Sequence, residues 1–181
     1  MIVVYSLLDS HPASTTCEQF IRTRTGWFTT TLTLFEVKAI LTKVYTVNAI
    51  LVTQKIEMFS TGPITIAEVD LPTTIAAMKL ADARDIDMTD AVLLHTSQTI
   101  GATALATDDG KLARVCRQVG ITPENPIDRN LRKQIAAWEA NHLPLKGLPR
   151  ILRHIYHWLN RSTPKIAQDF WSQTGGGSHL P

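Results

Sequence analysis

Short β-type stretches that alternate with helical stretches leave this chain few architectures. Gly26-Trp27-Phe28-Thr29-Thr30-Thr31 reads as a strand, because aromatic and β-branched residues follow a glycine. Helical spacing begins near Leu32 and runs through Ile40 and Leu41 toward Tyr45, with Glu36 in its early turns. Ile64-Thr65-Ile66-Ala67-Glu68-Val69 alternates like a second strand after the turn pair Gly62-Pro63. Thr73 or Thr74 is expected to cap the alanine-rich helix that follows through Ala83, and Thr89 to cap a helix from Asp90 to Thr99 closed by Gly101. Ala102 to Ala106 reads as a short buried strand, with Thr107-Asp108-Asp109-Gly110 at its carboxyl end, and Lys111 to Val119 resumes helical spacing. A parallel sheet covered by helices satisfies such alternation, and its ligand crevice lies beyond the carboxyl ends of the strands.

At 181 residues the chain has room for one α/β body and an appendage. Pro123 and Pro126 mark the end of the body, at residue 127. In the remainder, 128–181, Asn130 to Asn141 and Pro149 to Asn160 read as helices separated by the breaker stretch Leu143-Pro144-Leu145-Lys146-Gly147, and Gly175 to Pro181 reads as a flexible end. The extension carries eight Lys/Arg against three acids, a net +5, which leaves −3 on the first 127 residues. Its second helix is two-faced: Leu148, Ile151, Leu152, Ile155 and Leu159 fall on one stripe and Arg150, Arg153, His154, His157 and Arg161 on the other. That cationic face is either a solvated surface or a contact for RNA phosphates or a protein partner. Trp138, Trp158 and Trp171 are expected to anchor the extension to the body.

With 44 % hydrophobic and 19 % charged residues and no apolar run near ~20 residues, no membrane span is implied. The apolar start, Met1 to Leu8, lacks a basic leader and a cleavage site, so it makes a poor signal peptide. Cys17 and Cys116 have no metal-type or redox-type spacing and read as buried thiols of a cytoplasmic protein. The six histidines show no ligand spacing, and Ser6 and Ser97 no nucleophile constellation.

Chemistry is concentrated in acids that sit where strands or turns meet helices: Glu36, Asp90 and Asp109. Hard divalent ions prefer carboxylate oxygen, and Mg²⁺ keeps several waters, so converging acids can hold it and leave room for a phosphate. Taken alone, each acid reads more readily as a helix cap or a partner of the helix dipole; the three together, inside alternating strands and helices, point to a site.

In these stretches the sequence resembles the PIN-domain nucleases, which include the toxin ribonucleases of bacterial toxin-antitoxin pairs. The resemblance rests on Thr31 to Glu36 with its helix, on Thr89-Asp90-Ala91-Val92-Leu93-Leu94, and on Gly101-Ala102 through Ala104-Leu105-Ala106-Thr107-Asp108-Asp109, and it covers roughly residues 1 to 127. It implies a three-layer α/β/α sandwich with a parallel sheet, and Mg²⁺- or Mn²⁺-dependent hydrolysis of RNA phosphodiesters. Glu36, Asp90 and Asp109 would be the metal-site acids, Thr107 the support of the last, and Asp108 either an additional ligand or a support behind the ligands. An antitoxin protein and a homodimer are the implied partners. The other function class is a non-catalytic PIN-like module that binds RNA or protein through the basic tail.

The family usually opens with an apolar strand ending in Asp, and counting back from Glu36 lands at or just before Met1, so that strand and acid are expected to be missing. Asp9 is a weaker candidate for the acid, since Pro12 would disrupt the helix that should follow. By propensity Ile2 to Tyr5 would be a strand; by resemblance they begin a helix. Both readings stand at this stage.

Overall fold

Met1 leads straight into a helix. In the computed structural model, which describes residues 1–143 and 148–174 but not the side chains of Leu148, Pro149 and Arg150, Ile2–Ser6 forms α1. Local propensity for a strand is overridden because the helical turn buries Ile2, Val4 and Tyr5 together against α2 (Ser14–Arg22) and α3 (Thr31–Lys43). The glycine-rich end and most of the expected breaker stretch, 144–147, lie outside the described residues.

The remaining elements follow in alternation: β1 (Trp27–Thr30) before α3, then α4 (Ala49–Ser60), β2 (Ile64–Ala67), α5 (Leu71–Arg84), α6 (Met88–Thr99), β3 (Ala104–Ala106), α7 (Gly110–Gln118), β4 (Thr122–Glu124) and α8 (Arg129–His142). Two more helices, α9 (Leu148–Ser162) and α10 (Pro164–Gln173), complete the chain. β1 lies parallel to β2, Trp27 opposite Ile64, and β3 parallel to β4, Ala104 opposite Thr122. The strands thus form two parallel pairs. Pro123 sits inside β4 opposite Leu105, where an edge strand tolerates its missing N–H.

Alternation along β3 defines the layers. Leu105 belongs to a buried cluster with Ala77, Ala91, Val92, Leu94, Leu112 and Cys116, while its neighbour Ala106 packs against a second cluster built from Val4, Cys17, Val37, Leu41, Val52 and Ile135. Successive strand residues point to opposite faces, so helices α5–α7 cover one side and α1–α4 with α8 the other. This is the expected α/β/α arrangement, richer in helix than in strand. The small residues Ala77, Ala81 and Ala91 let α5 and α6 approach closely.

Two caps differ from the sequence reading. Asp70, in extended conformation, accepts the Thr73 N–H at 2.8 Å and starts α5, so Thr73 and Thr74 lie inside the helix, behind Leu71 and Pro72. α6 starts from Asp87 rather than Thr89, whose hydroxyl is used elsewhere. Gly101 does close α6: its φ of +70° lets Ala102 N–H reach the Ser97 carbonyl at 2.8 Å.

α8 packs on the body. His11 is stacked on Tyr5 (centroids 4.5 Å) and meets Trp138 edge-on at 4.9 Å, and Tyr45 donates to Glu139 at 3.0 Å. Burial holds the His11 imidazole below its usual pKa and pushes the Tyr5 phenol up to about 12. Trp138 anchors as expected, whereas Trp171 packs on Tyr156 within the α9–α10 pair and Trp158 is 60 % exposed. The apolar stripe of α9 is likewise incomplete as a buried face, since Ile151 is exposed. Cys17 and Cys116 are buried free thiols, with Cys17 raised by burial to about 11.

Leu94→Ala, at a fully buried position of α6, is expected to cost about 2–5 kcal/mol of stability. Phe35→Ala, at a position 72 % exposed, should change it by less than about 0.5 kcal/mol. Paired urea titrations check the difference; similar losses in both would contradict the layer assignment.

Candidate active site

Two strand-to-helix junctions, β1–α3 and β3–α7, and the turn from α5 into α6 deliver one acid each. Thr30, extended at the end of β1, accepts the Thr33 N–H at 3.2 Å and starts α3, placing Glu36 in its second turn. Glu36 is held by the α6 start, since Thr89 donates its hydroxyl to Glu36 Oε1 at 3.5 Å. Asp90 lies in the first turn of α6, between exposed Asp87 and fully buried Ala91. Asp109 follows β3 and is the N-cap of α7: its Oδ1 accepts the Lys111 and Leu112 N–H groups, both at 2.7 Å. The buried Thr107 hydroxyl in turn accepts the Asp109 N–H at 3.0 Å and fixes the turn, while Thr107 N–H is bound to the Glu124 carbonyl.

The three acids line a single cavity of about 780 Å³. Its effect shows in Asp90, whose carboxyl is pushed up to about 6 by burial first and then by the charges of Asp109, Asp87 and Glu36. Lost hydration and crowded negative charge act in the same direction there. Asp109 therefore has two duties, capping α7 through Oδ1 and adding to this negative field.

Asp108 is engaged differently. Its Oδ1 accepts from Arg132 Nη2 at 2.5 Å and from Asn125 Nδ2 at 3.0 Å, so it latches α8 to the β3–α7 turn while also lining the cavity. Two residues not singled out in the sequence belong to the same chamber: Asp87, one helical turn before Asp90, and Glu124, which is paired with Arg24. The i, i+3 spacing of Asp87 and Asp90 was the available signal; the Arg24–Glu124 contact joins positions 100 residues apart and left none.

The basic residues lie elsewhere. Arg153, His157 and Arg161 follow one another along α9, where Arg153 Nε reaches His157 Nε2 at 3.4 Å, and none of them lines the acidic cavity. Partial burial and the Arg153 and Arg161 charges lower the His157 pKa. The Arg150 side chain lies outside the described residues.

Among the described residues no three acids, histidines or cysteines close into a group able to ligate one ion at once. The donor chemistry nevertheless suits a hard cation: the groups are carboxylates, and Mg²⁺ commonly uses only one or two of them and keeps its waters. Asp90 records an electrostatic penalty that a divalent charge would remove.

Raising a folded carboxyl pKa stabilises the fold below the unfolded pKa, and that contribution is lost as pH rises through the folded one. Between about pH 4 and 6, metal-free protein should therefore lose stability through Asp90, whose ordinary value is 3.8, by on the order of 1–2 kcal/mol once solvent screening of the half-buried carboxyl is discounted. Asp90→Asn should flatten this slope, and Mg²⁺ or Mn²⁺ at pH 7 should restore melting temperature to the native protein more than to the variant. Thermal melts across pH check both; identical slopes would refute the account of Asp90.

No curated protein and no solved structure matches the chain. Among the described residues no helix is long and apolar enough to cross a membrane. A family model described as PIN domain matches residues 2–118, which spans every element from α1 to α7 and all three acids. PIN domains are a nuclease-type fold, and by this match the chain belongs to the PIN domain family.

Proposed function

We propose that this protein is a metal-dependent endoribonuclease that hydrolyses RNA phosphodiester bonds at the Glu36, Asp90 and Asp109 cluster. The observation that carries the reading is the Asp90 carboxyl, held near pKa 6 by burial and by acids arriving from three separate helices. Structural caps have no need of such crowding, whereas a cation site does. Glu36, Asp90 and Asp109 would hold Mg²⁺ or Mn²⁺. When bound, such an ion supplies charge neutralisation and Lewis-acid polarisation of the phosphodiester.

The chain's own residues do the rest. Thr89 orients Glu36 through its hydroxyl, and the Thr107 hydroxyl fixes the backbone at Asp109. The buried start of α6 holds Asp90 against its neighbours, so that a proton on its carboxyl is lost only near pH 6. This favours activity that rises from pH 5 to 7, as Asp90 ionises. The RNA backbone would be met by the cations of α9, Arg150, Arg153, His157 and Arg161, by counterion release. On this reading the protein partner is an antitoxin and the compartment is the cytoplasm.

One observation favours a second reading, a non-catalytic PIN-like module that binds RNA or protein: the acids do not close into a ligand group among the described residues. The readings separate cleanly. Mg²⁺-dependent cleavage of single-stranded RNA is expected to fall about 100-fold or more in Asp90→Asn and in Glu36→Gln. Arg153→Glu with Arg161→Glu should weaken RNA binding and its salt dependence. Cleavage unchanged in Asp90→Asn would end the nuclease reading; RNA binding lost in the α9 variant, with no cleavage by either protein, would favour the module.

A further inference from the structure

A second cavity, of about 340 Å³, lies where α7, the end of β4 and α8 meet, and it falls within the range of small-ligand sites, about 300–1000 Å³. Gly110, Ala113 and Arg117 line it from α7, at the i, i+3, i+7 spacing of one helix face. Pro123 and Asn125 line it from β4 and the turn beyond, and Arg132 from α8. Thr107, Asp108 and Asp109 line both this cavity and the acidic one, so the two adjoin at the β3–α7 turn.

Both guanidinium groups can receive an anion. Arg117 is exposed and makes no hydrogen bond or ion pair among the described residues. Arg132 is gripped by Asp108, through Nη2 at 2.5 Å and Nη1 at 3.4 Å, yet its side chain is 54 % exposed. That contact fixes the guanidinium fork and leaves other N–H donors of the group unspent. The rise along α7 from Asp109 to Arg117 is about 12 Å, and helix side chains lean toward the amino end, so Arg117 reaches back toward the acids. It passes only Ala113 and Gly110, and a Cβ at Gly110 would meet nothing within 4 Å, so this face of α7 is clear.

We propose that this groove is a phosphate subsite for RNA, in which Arg117, Arg132 and the Asn125 amide hold a backbone phosphate neighbouring the one presented to Glu36, Asp90 and Asp109. Forked guanidinium groups match the oxygens of a phosphodiester. Crowded carboxylates repel a polyanion, and cations bordering the turn that carries Asp109 offset that repulsion where the strand must pass. A nucleic-acid strand repeats its charge, so a phosphate in the groove and another at the acids can belong to one ligand. Arg153, His157 and Arg161 line neither cavity; they would gather the strand, and the groove would set its register. The inference rests on the nuclease reading for the role of the acids, whereas binding in the groove needs neither metal nor cleavage.

The test is binding of a fluorescein-labelled uridine octanucleotide to the full chain in EDTA, between about 50 and 200 mM KCl. Arg117→Ala should weaken binding about tenfold at the lower salt and reduce the slope of log K against log salt by about 0.7, the share of one phosphate on a single strand. Arg117→Lys keeps the charge and should keep the slope. Arg114→Ala removes an equal charge from an exposed position of the same helix outside the groove, and affinity should stay within about twofold. An unchanged slope in Arg117→Ala overturns the proposal, and so do equal losses in Arg114→Ala and Arg117→Ala, the mark of diffuse attraction. Octaglutamate that displaces the RNA with equal affinity would identify an acidic protein segment as the occupant and overturn it too. Arg117-dependent binding by a protein that cleaves nothing with Mg²⁺ would keep the subsite and end the nuclease reading. Cleavage that is lost in Asp90→Asn, with binding indifferent to Arg117, would do the reverse.

Discussion

Burial of α6 is the interaction on which the rest depends. Ala91, Val92, Leu94 and Ser97 are among the most deeply buried residues of the chain, and the helix they form touches β1 and β3, strands that do not pair with each other. Full burial of a leucine is worth about 1.5–3 kcal/mol, and with two-stranded units too small to stand alone, this helix acts as the tie between them. Its apolar body fixes its register; its polar first turn is carried along. Asp90 is therefore half-buried because Ala91 and Leu94 must be inside, and the acid's high pKa is a consequence of core packing one residue away.

The same economy governs the other two acids. Asp109 is both the cap of α7 and a source of the negative field at Asp90, so one residue serves the helix and the acidic cluster at once. Glu36 is exposed on α3 and is drawn toward the cluster by the Thr89 hydroxyl rather than by burial. Asp108, adjacent to Asp109, has gone the other way and is spent on Arg132 and Asn125, which tie α8 to the turn. Adjacent carboxylates take different duties because Asp108 lies in the bend after β3, within reach of α8, while Asp109 is the extended residue that caps α7.

The aromatic cluster beneath α8 has a comparable logic. His11, Tyr5, Tyr45 and Trp138 join the amino-terminal helices to the helix that follows the α/β body, and burial lowers the pKa of the imidazole. Two elements far apart in sequence are thereby held as one packed unit, and Arg132 on the same helix is delivered to Asp108. The terminal pair α9–α10 relies instead mainly on its own contacts, Tyr156 against Trp171 among them.

Local chemistry made much of this legible. β1, β2, the helix bearing Glu36, the glycine stop of α6 and the Asp109 turn follow from β-branched runs, apolar spacing and turn residues, all of which act within a few positions. Resemblance supplied the grouping of Glu36, Asp90 and Asp109, and the fold does bring them to one cavity. Ile2 to Tyr5 show the limit: a run with strand propensity became α1 because burial against α2 and α3 outweighs a preference worth only about 1 kcal/mol. The caps are Asp70 and Asp87 and not the expected threonines, because neighbouring residues compete for the same role and only backbone geometry chooses. Which acid is buried beside which, the pairing of Arg24 with Glu124, and the division of the strands into two pairs depend on separations of tens of residues, and only the packed tertiary structure decides them.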